Sequence, residues 1–170
     1  MIERRHESAG TRSAALYSPC GAYRYRLGRR WDGSAPALLF VLLNPSTATE
    51  AANDPTLARC ERRARAAGFG GVTVCNLFAW RATDPQALGR VADPVGAEND
   101  AVLAATAAEA GQILCGWGNH GGLHDRGASV AAALRRQGRR LWHLGLTRAG
   151  APRHPLYLGY DCPPQPWEEA

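Results

Sequence analysis

The side chains in this chain that are able to do chemistry gather in three short stretches. Asn44-Pro45-Ser46-Thr47 closes an apolar run. Asn76 is followed by Phe78, Trp80 and Arg81. Thr147, Arg148, Arg153 and His154-Pro155 lie in a glycine- and proline-containing stretch near the carboxyl end. The groups on offer are amides, hydroxyls, guanidiniums and an imidazole. Such a set can hydrogen-bond a polar ligand but holds few groups able to take a proton, and an asparagine amide is not a base near neutral pH. Every basic residue is an arginine, and the chain has no lysine. That removes a Walker-type phosphate loop and a lysine Schiff base from its chemistry.

The elements that must position these stretches are legible from hydrophobic pattern. Residues 38–43 are apolar at every position, which predicts a central strand covered on both faces. It stops at Asn44 because proline has no N–H for the ladder. Asp54-Pro55 predicts the start of a helix over 55–67, with Asp54 as N-cap, Pro55 at the first helical position and Gly68 as the stop. Leu57, Cys60 and Ala64 supply its core stripe. Residues 72–78 read as a second strand, 84–88 as a short helical turn, 95–110 as a helix, 113–115 as a third strand, 125–137 as a helix and 141–144 as a fourth strand. Pro19-Cys20-Gly21 signals a turn between 15–18 and 22–27. In Tyr23-Arg24-Tyr25-Arg26 aromatic and basic residues alternate, as on a half-exposed strand. Residues 1–14 read as loose, and 161–170 as a peripheral, proline-containing tail.

Strands alternating with helices predict one α/β domain over 1–170. It is a three-layer sandwich with a parallel sheet of about four strands and an N-terminal antiparallel hairpin leaning on it. In such sheets ligands bind past the carboxyl ends of the strands. All three polar stretches follow strands, so they converge on one rim. The competing reading is that each is only a polar strand exit.

Composition narrows the classes. The net charge of +5 permits a nucleic-acid partner without proving one, since a high-GC genome gives the same arginine bias. The amino terminus lacks a secretory h-region and no stretch is long enough for a membrane span, so a cytoplasmic location is expected. Cys20, Cys60, Cys75, Cys115 and Cys162 contain no C-x-x-C pair, which argues against disulfides or a zinc or iron–sulfur site. His120 and His124 lack a carboxylate pair beside them. No metal, cofactor or obligatory protein partner is expected.

The phrases LLNPSTA, NDPT, CNLFAWRATDP, CGWGNHG and LGLTRAGAPRHPLYL resemble an uncharacterised-domain family of small bacterial and phage proteins, over about residues 17–158. The order of the pieces also resembles, more remotely, the uracil-DNA glycosylase superfamily. Members of that superfamily have a four-stranded parallel sheet, a water-activating motif after its first strand, a base-reading Asn at the end of a later strand and a His-Pro motif after the last. Asn44-Pro45-Ser46 looks like the mismatch-type variant of the first motif. Asn76 falls at the base-reading position and His154 at the leaving-group position. The chain departs from the pattern at Leu42, where a Gly is usual, and at Leu156-Tyr157, where a serine-bearing intercalation loop is usual.

The resemblance implies a monofunctional DNA glycosylase that hydrolyses the N-glycosidic bond of uracil or a modified pyrimidine, including modified phage DNA in phage–host conflict, and leaves an abasic site. Asn44 would orient water, with Glu50 or Asp54 as weaker candidates for a carboxylate. His154 would stabilise charge on the departing base. Asn76 would read the base edge, Phe78 or Trp80 would stack on it, and Ser46, Thr47, Arg148 and Arg153 would hold flanking phosphates. Two alternatives stand beside it: a non-catalytic nucleotide- or DNA-binding module, and a hydrolase of free nucleotides. The loop 117–122 could close over a ligand or be only a turn.

Overall fold

The computed structural model describes residues 1–168. In chain order the strands are β1 (Ile2–Ser8), β2 (Thr11–Tyr17), β3 (Arg24–Arg30), β4 (Ala37–Leu42), β5 (Gly71–Asn76), β6 (Gln112–Cys115), β7 (Leu141–His143) and β8 (Gln165–Pro166). The α-helices are α1 (Pro55–Ala66), α2 (Asn99–Glu109) and α3 (Arg126–Arg136). All eight strands form one mixed sheet in the order β1-β2-β3-β5-β4-β6-β7-β8. β4 pairs in parallel with β5 and β6, and β6 in parallel with β7. β3 and β8 pair antiparallel with β5 and β7 at the two flanks of that group.

The full apolarity of residues 38–43 has the expected physical origin. Successive strand side chains point to opposite faces. Leu38, Phe40 and Leu42 pack with Leu57, Cys60 and Ala64 of α1. Leu39, Val41 and Leu43 pack with Leu103 and Ala107 of α2 and with Val130, Ala131 and Leu134 of α3. The sheet is therefore covered on both faces. Cys60, Cys75 and Cys115 are buried as small core residues, and burial pushes all three thiols up, Cys75 to about 11.

The amino-terminal region differs from expectation. Residues 1–14 are not loose: β1 pairs with β2 from Ile2 opposite Tyr17 to Ser8 opposite Thr11. Every β1 side chain is exposed, so no alternation marks it in the sequence. The ladder and a two-residue connection hold it, with Ala9 and Gly10 at φ 49° and 75°, the positive values that hairpin turns with the strands' own twist require. The expected hairpin is thus a three-stranded antiparallel extension, continuous with the main sheet through β3. β3 runs on through Arg29 and Arg30. Arg24 and Tyr25, expected on a half-exposed strand, are buried. The second helix begins at Asn99, not 95, because the chain turns at Gly96 with φ 86°. The tail contributes β8, and Trp167 meets Trp117 edge-on at 5.4 Å.

Candidate functional site

The carboxyl ends of β4, β5 and β6 open onto a cavity of about 530 Å³, within the range usual for small-molecule sites. Its lining includes Asn44, Ser46, Asn76, Arg153 and His154, from all three stretches singled out by sequence. Val74, Leu42 and Leu57 place it on the α1 face of the sheet.

Asn44 leaves β4 into the segment that crosses to the exit of β5. Its Nδ2 donates to the carbonyls of Pro45 at 3.1 Å and Ala82 at 2.8 Å. Ala82 N–H returns a bond to the Pro45 carbonyl at 2.9 Å. Both partners of the side chain are acceptors, so its NH₂ must face them. Oδ1 accepts from no described residue, and Asn44 lines the cavity.

Asn76 is the last residue of β5. It shares the facing of Val74, two residues back, and so turns toward α1. It is 2% exposed, and its side-chain amide makes no hydrogen bond to any described residue. Its backbone is held from below. Asn99, fully buried in α2, donates through Nδ2 to the carbonyls of Asn76 and Leu77, both at 3.0 Å. Arg126 Nε donates to the Leu77 carbonyl at 2.9 Å. The Asn99 Oδ1 is buried with no hydrogen-bond partner among the described residues.

His154 caps a single 3₁₀ turn, Pro155–Tyr157, its Nδ1 accepting the Leu156 N–H at 3.2 Å. A neutral ring that accepts at Nδ1 carries its proton at Nε2. Burial pushes the His154 pKa down to about 4, against the opposing pull of the Asp54 carboxylate, so the ring is neutral near pH 7. Gly116 lets this segment approach β4. A methyl group there would sit 3.0 Å from Pro155 Cδ and 3.2 Å from the Arg153 carbonyl.

Asp54 also lines the cavity. Its Oδ1 accepts the Leu57 N–H at 2.8 Å as the α1 N-cap, and its Oδ2 accepts the Ala48 N–H at 3.3 Å. Glu50 accepts the Tyr17 hydroxyl at 3.0 Å and is not part of the lining.

Phe78, Trp80, Thr47 and Arg148 are outside the lining. Phe78 is 0% exposed in the core beside α2 and α3. Trp80 meets Tyr23 edge-on at 5.3 Å. Thr47 and Arg148 are exposed. The aromatic wall is instead Trp117, whose ring is wrapped by Gly121 and Gly127; a Cβ on Gly121 would fall 2.1 Å from it. Across the mouth, Thr147 Oγ1 donates to Asn119 Oδ1 at 2.7 Å. Arg24, Thr56, Thr83, His120 and Tyr157 also line the cavity, and sequence reasoning did not select them as site residues. Arg24 carries no local signal, because an alternating strand gives no reason to expect burial of its charge.

A larger cavity of about 650 Å³ lies on the opposite, α2 face, under the β1–β3 extension. It contains none of the selected residues. Its lining carries both signs of charge, and Arg5 and Arg26 pair with Glu3. Among the described residues no group of three or more His, Cys, Asp or Glu is placed to hold a metal ion, and no helix is long and apolar enough to cross a membrane.

A family model described as Protein of unknown function (DUF1643) matches residues 24–156. No curated protein and no solved structure matches the chain. The matched span includes every cavity-lining residue except Tyr157.

Proposed function

We propose that this chain, which belongs to the DUF1643 family, is a monofunctional DNA glycosylase acting on uracil or a modified pyrimidine, including those of phage DNA. The observation that carries the reading is the convergence of three unspent hydrogen-bonding edges on one cavity: Asn44 Oδ1, the Asn76 amide and His154 Nε2–H.

The chemistry follows from those groups. A nucleotide rotated out of its stack enters with its base against Asn76, which offers a donor and an acceptor to the base edge. The C1′–N bond breaks with its electron pair moving onto the base. The sugar becomes oxocarbenium-like. His154 Nε2–H donates to a base carbonyl oxygen as negative charge builds there. A neutral imidazole is a suitable donor because it need not lose charge to act. Water then adds its oxygen to C1′, oriented through a hydrogen bond to Asn44 Oδ1, and its proton passes to solvent or to the departed base. Asn44 does not remove that proton, so the leaving ability of the base sets the rate.

The test is a panel of duplex and single-stranded oligonucleotides carrying uracil, hypoxanthine or modified cytosines. Alkali-labile breaks are expected with at least one base, none without alkali, and loss of breaks in Asn44→Ala and His154→Ala. An intact panel with folded protein defeats the proposal. A DNA enzyme's affinity also falls steeply with salt, which separates it from a hydrolase of free nucleotides.

One observation favours a non-catalytic binding module as the second reading: both oxygens of Asp54, the carboxylate in the lining, already accept backbone N–H bonds. That module would bind DNA with no turnover, and would keep its affinity after Asn44→Ala.

A further inference from the structure

We infer that Arg24 makes this cavity a receptor for an oxyanion, so that the molecule bound there carries a carboxylate or phosphate that pairs with the Arg24 guanidinium. The inference deepens the proposed function by naming a ligand group, and rests on it only in taking this cavity as the ligand site.

Two buried arginines on β3 make the case by contrast. Arg29 spends its guanidinium on the loop after β4: it donates to Asn53 Oδ1 through Nε at 3.2 Å and through Nη2 at 3.1 Å, and also reaches the carbonyls of Thr49, Ala52 and Gly28. It is a fastener with its donors used, and it does not line this cavity. Arg24 is 4% exposed and does line the cavity. It makes one side-chain hydrogen bond, from Nη1 to the Ala48 carbonyl. Its Nε is buried without a partner, and its Nη2 bonds to no described residue.

No described carboxylate is within ion-pair distance of Arg24. Asp54, the acidic side chain that shares the lining, is committed to the N–H groups of Leu57 and Ala48. Among the charges that act on Arg24, Asp54 favours its cationic form and Arg81 and Arg29 oppose it; Tyr17 favours it only as the phenolate, which its raised pKa keeps from forming near neutrality. Burial dominates, pulling its pKa down to about 10, so the guanidinium stays charged near neutrality. A buried charge without a partner is costly, because burial strips away its water and nothing replaces it. A planar fork with free donors matches a carboxylate or phosphate edge. The oxyanion is either a substituent on the base or the phosphate of the nucleotide.

The test is calorimetric binding to the intact chain with two matched pairs of probes: uracil against uracil-5-carboxylate, and 2′-deoxyuridine against its 5′-monophosphate. The anionic member of at least one pair should bind about tenfold tighter or more, the value of one charge-assisted bond. The pair that shows it tells whether the oxyanion sits on base or sugar. In Arg24→Gln the advantage should shrink to within about twofold, with the neutral member little changed. Should that variant fail to fold, Arg24→Lys keeps the charge but not the fork. It should lose at least about threefold of the advantage. Equal affinities in both pairs, no heat with any of the four probes, an advantage untouched by the Arg24 variants, or one abolished by Arg153→Gln instead, would each overturn the inference. No bond is cleaved in this assay, so a protein that excises nothing can still pass it. An active glycosylase with no preference for the anions sinks only this inference.

Discussion

Asn44 Nδ2 donates to the Ala82 carbonyl at 2.8 Å, joining the exit of β4 to the segment that follows β5. One side chain thus fixes the rim of the cavity and presents its remaining oxygen to the interior. The two duties separate on substitution. In Asn44→Asp a carboxylate oxygen would face the carbonyls of Pro45 and Ala82, acceptor against acceptor. We expect a loss of about 1–3 kcal/mol, or roughly 2–12 °C in melting temperature at this chain length, read by thermal unfolding at pH 7. An Asp variant as stable as the parent contradicts the clamp.

His154 predicts a pH dependence of stability. Its folded pKa, about 4, lies below the ordinary value of 6.5. Between these values the unfolded chain binds the proton and the folded chain does not, so stability falls as pH drops from 6.5 toward 4. The full effect is on the order of 3 kcal/mol. His143, also pushed down by burial, acts in the same direction. Urea unfolding of wild type and His154→Gln across this window should give a visibly shallower slope for the variant. Parallel slopes would show that His154 titrates normally.

Asp54 couples helix and site. Asp54→Ala removes the α1 N-cap and should cost about 0.5–2 kcal/mol. Asp54→Asn keeps a capping oxygen but removes the charge that holds the His154 pKa up. The His154 titration should therefore move still lower in Asp54→Asn, as followed by NMR of the ring protons, while the amide NH₂ left facing the Leu57 or Ala48 N–H costs about 1–3 kcal/mol. An upward movement would refute the coupling.

Tyr157 is 77% exposed at the edge of the cavity, as the last residue of the turn capped by His154. A stacking contact with a base is worth about 1–3 kcal/mol. If DNA docks over this mouth, Tyr157→Ala should weaken oligonucleotide affinity about fivefold or more and leave thermal stability unchanged. Unchanged affinity places the docking surface elsewhere.

Much of this was legible because it rests on period and punctuation. The doubly apolar residues 38–43, the Asp54-Pro55 start and the polar strand exits point to a covered sheet and a shared rim, and the lining brings Asn44, Asn76 and His154 together. What escaped has particular causes. β1 buries none of its residues; the ladder holds it, with Arg4 over the Tyr17 ring and Glu3 beside Arg26, and leaves no hydrophobic pattern. Phe78 follows a strand exit as Asn76 does, but it belongs to the core beside α2 and α3. Arg24 looked like the solvent half of an alternation. Its burial depends on Ala48 and the loop after β4, which are remote in sequence. Asn99 sits in an alanine-rich helix where nothing local marks it as the anchor of β5.

The cavity draws its walls from Arg24 at one extreme and Tyr157 at the other. β4, whose exit leads to Asn44, lies between strands made after it, β5 and β6. During synthesis the first three strands can pair as soon as they emerge, since their contacts are near neighbours along the chain. The cavity itself has no such early form. A nascent or truncated chain that stops before His154 holds neither that imidazole nor the wall behind it. Such a fragment should be inert toward any ligand of the finished protein, however much of its sheet has already assembled.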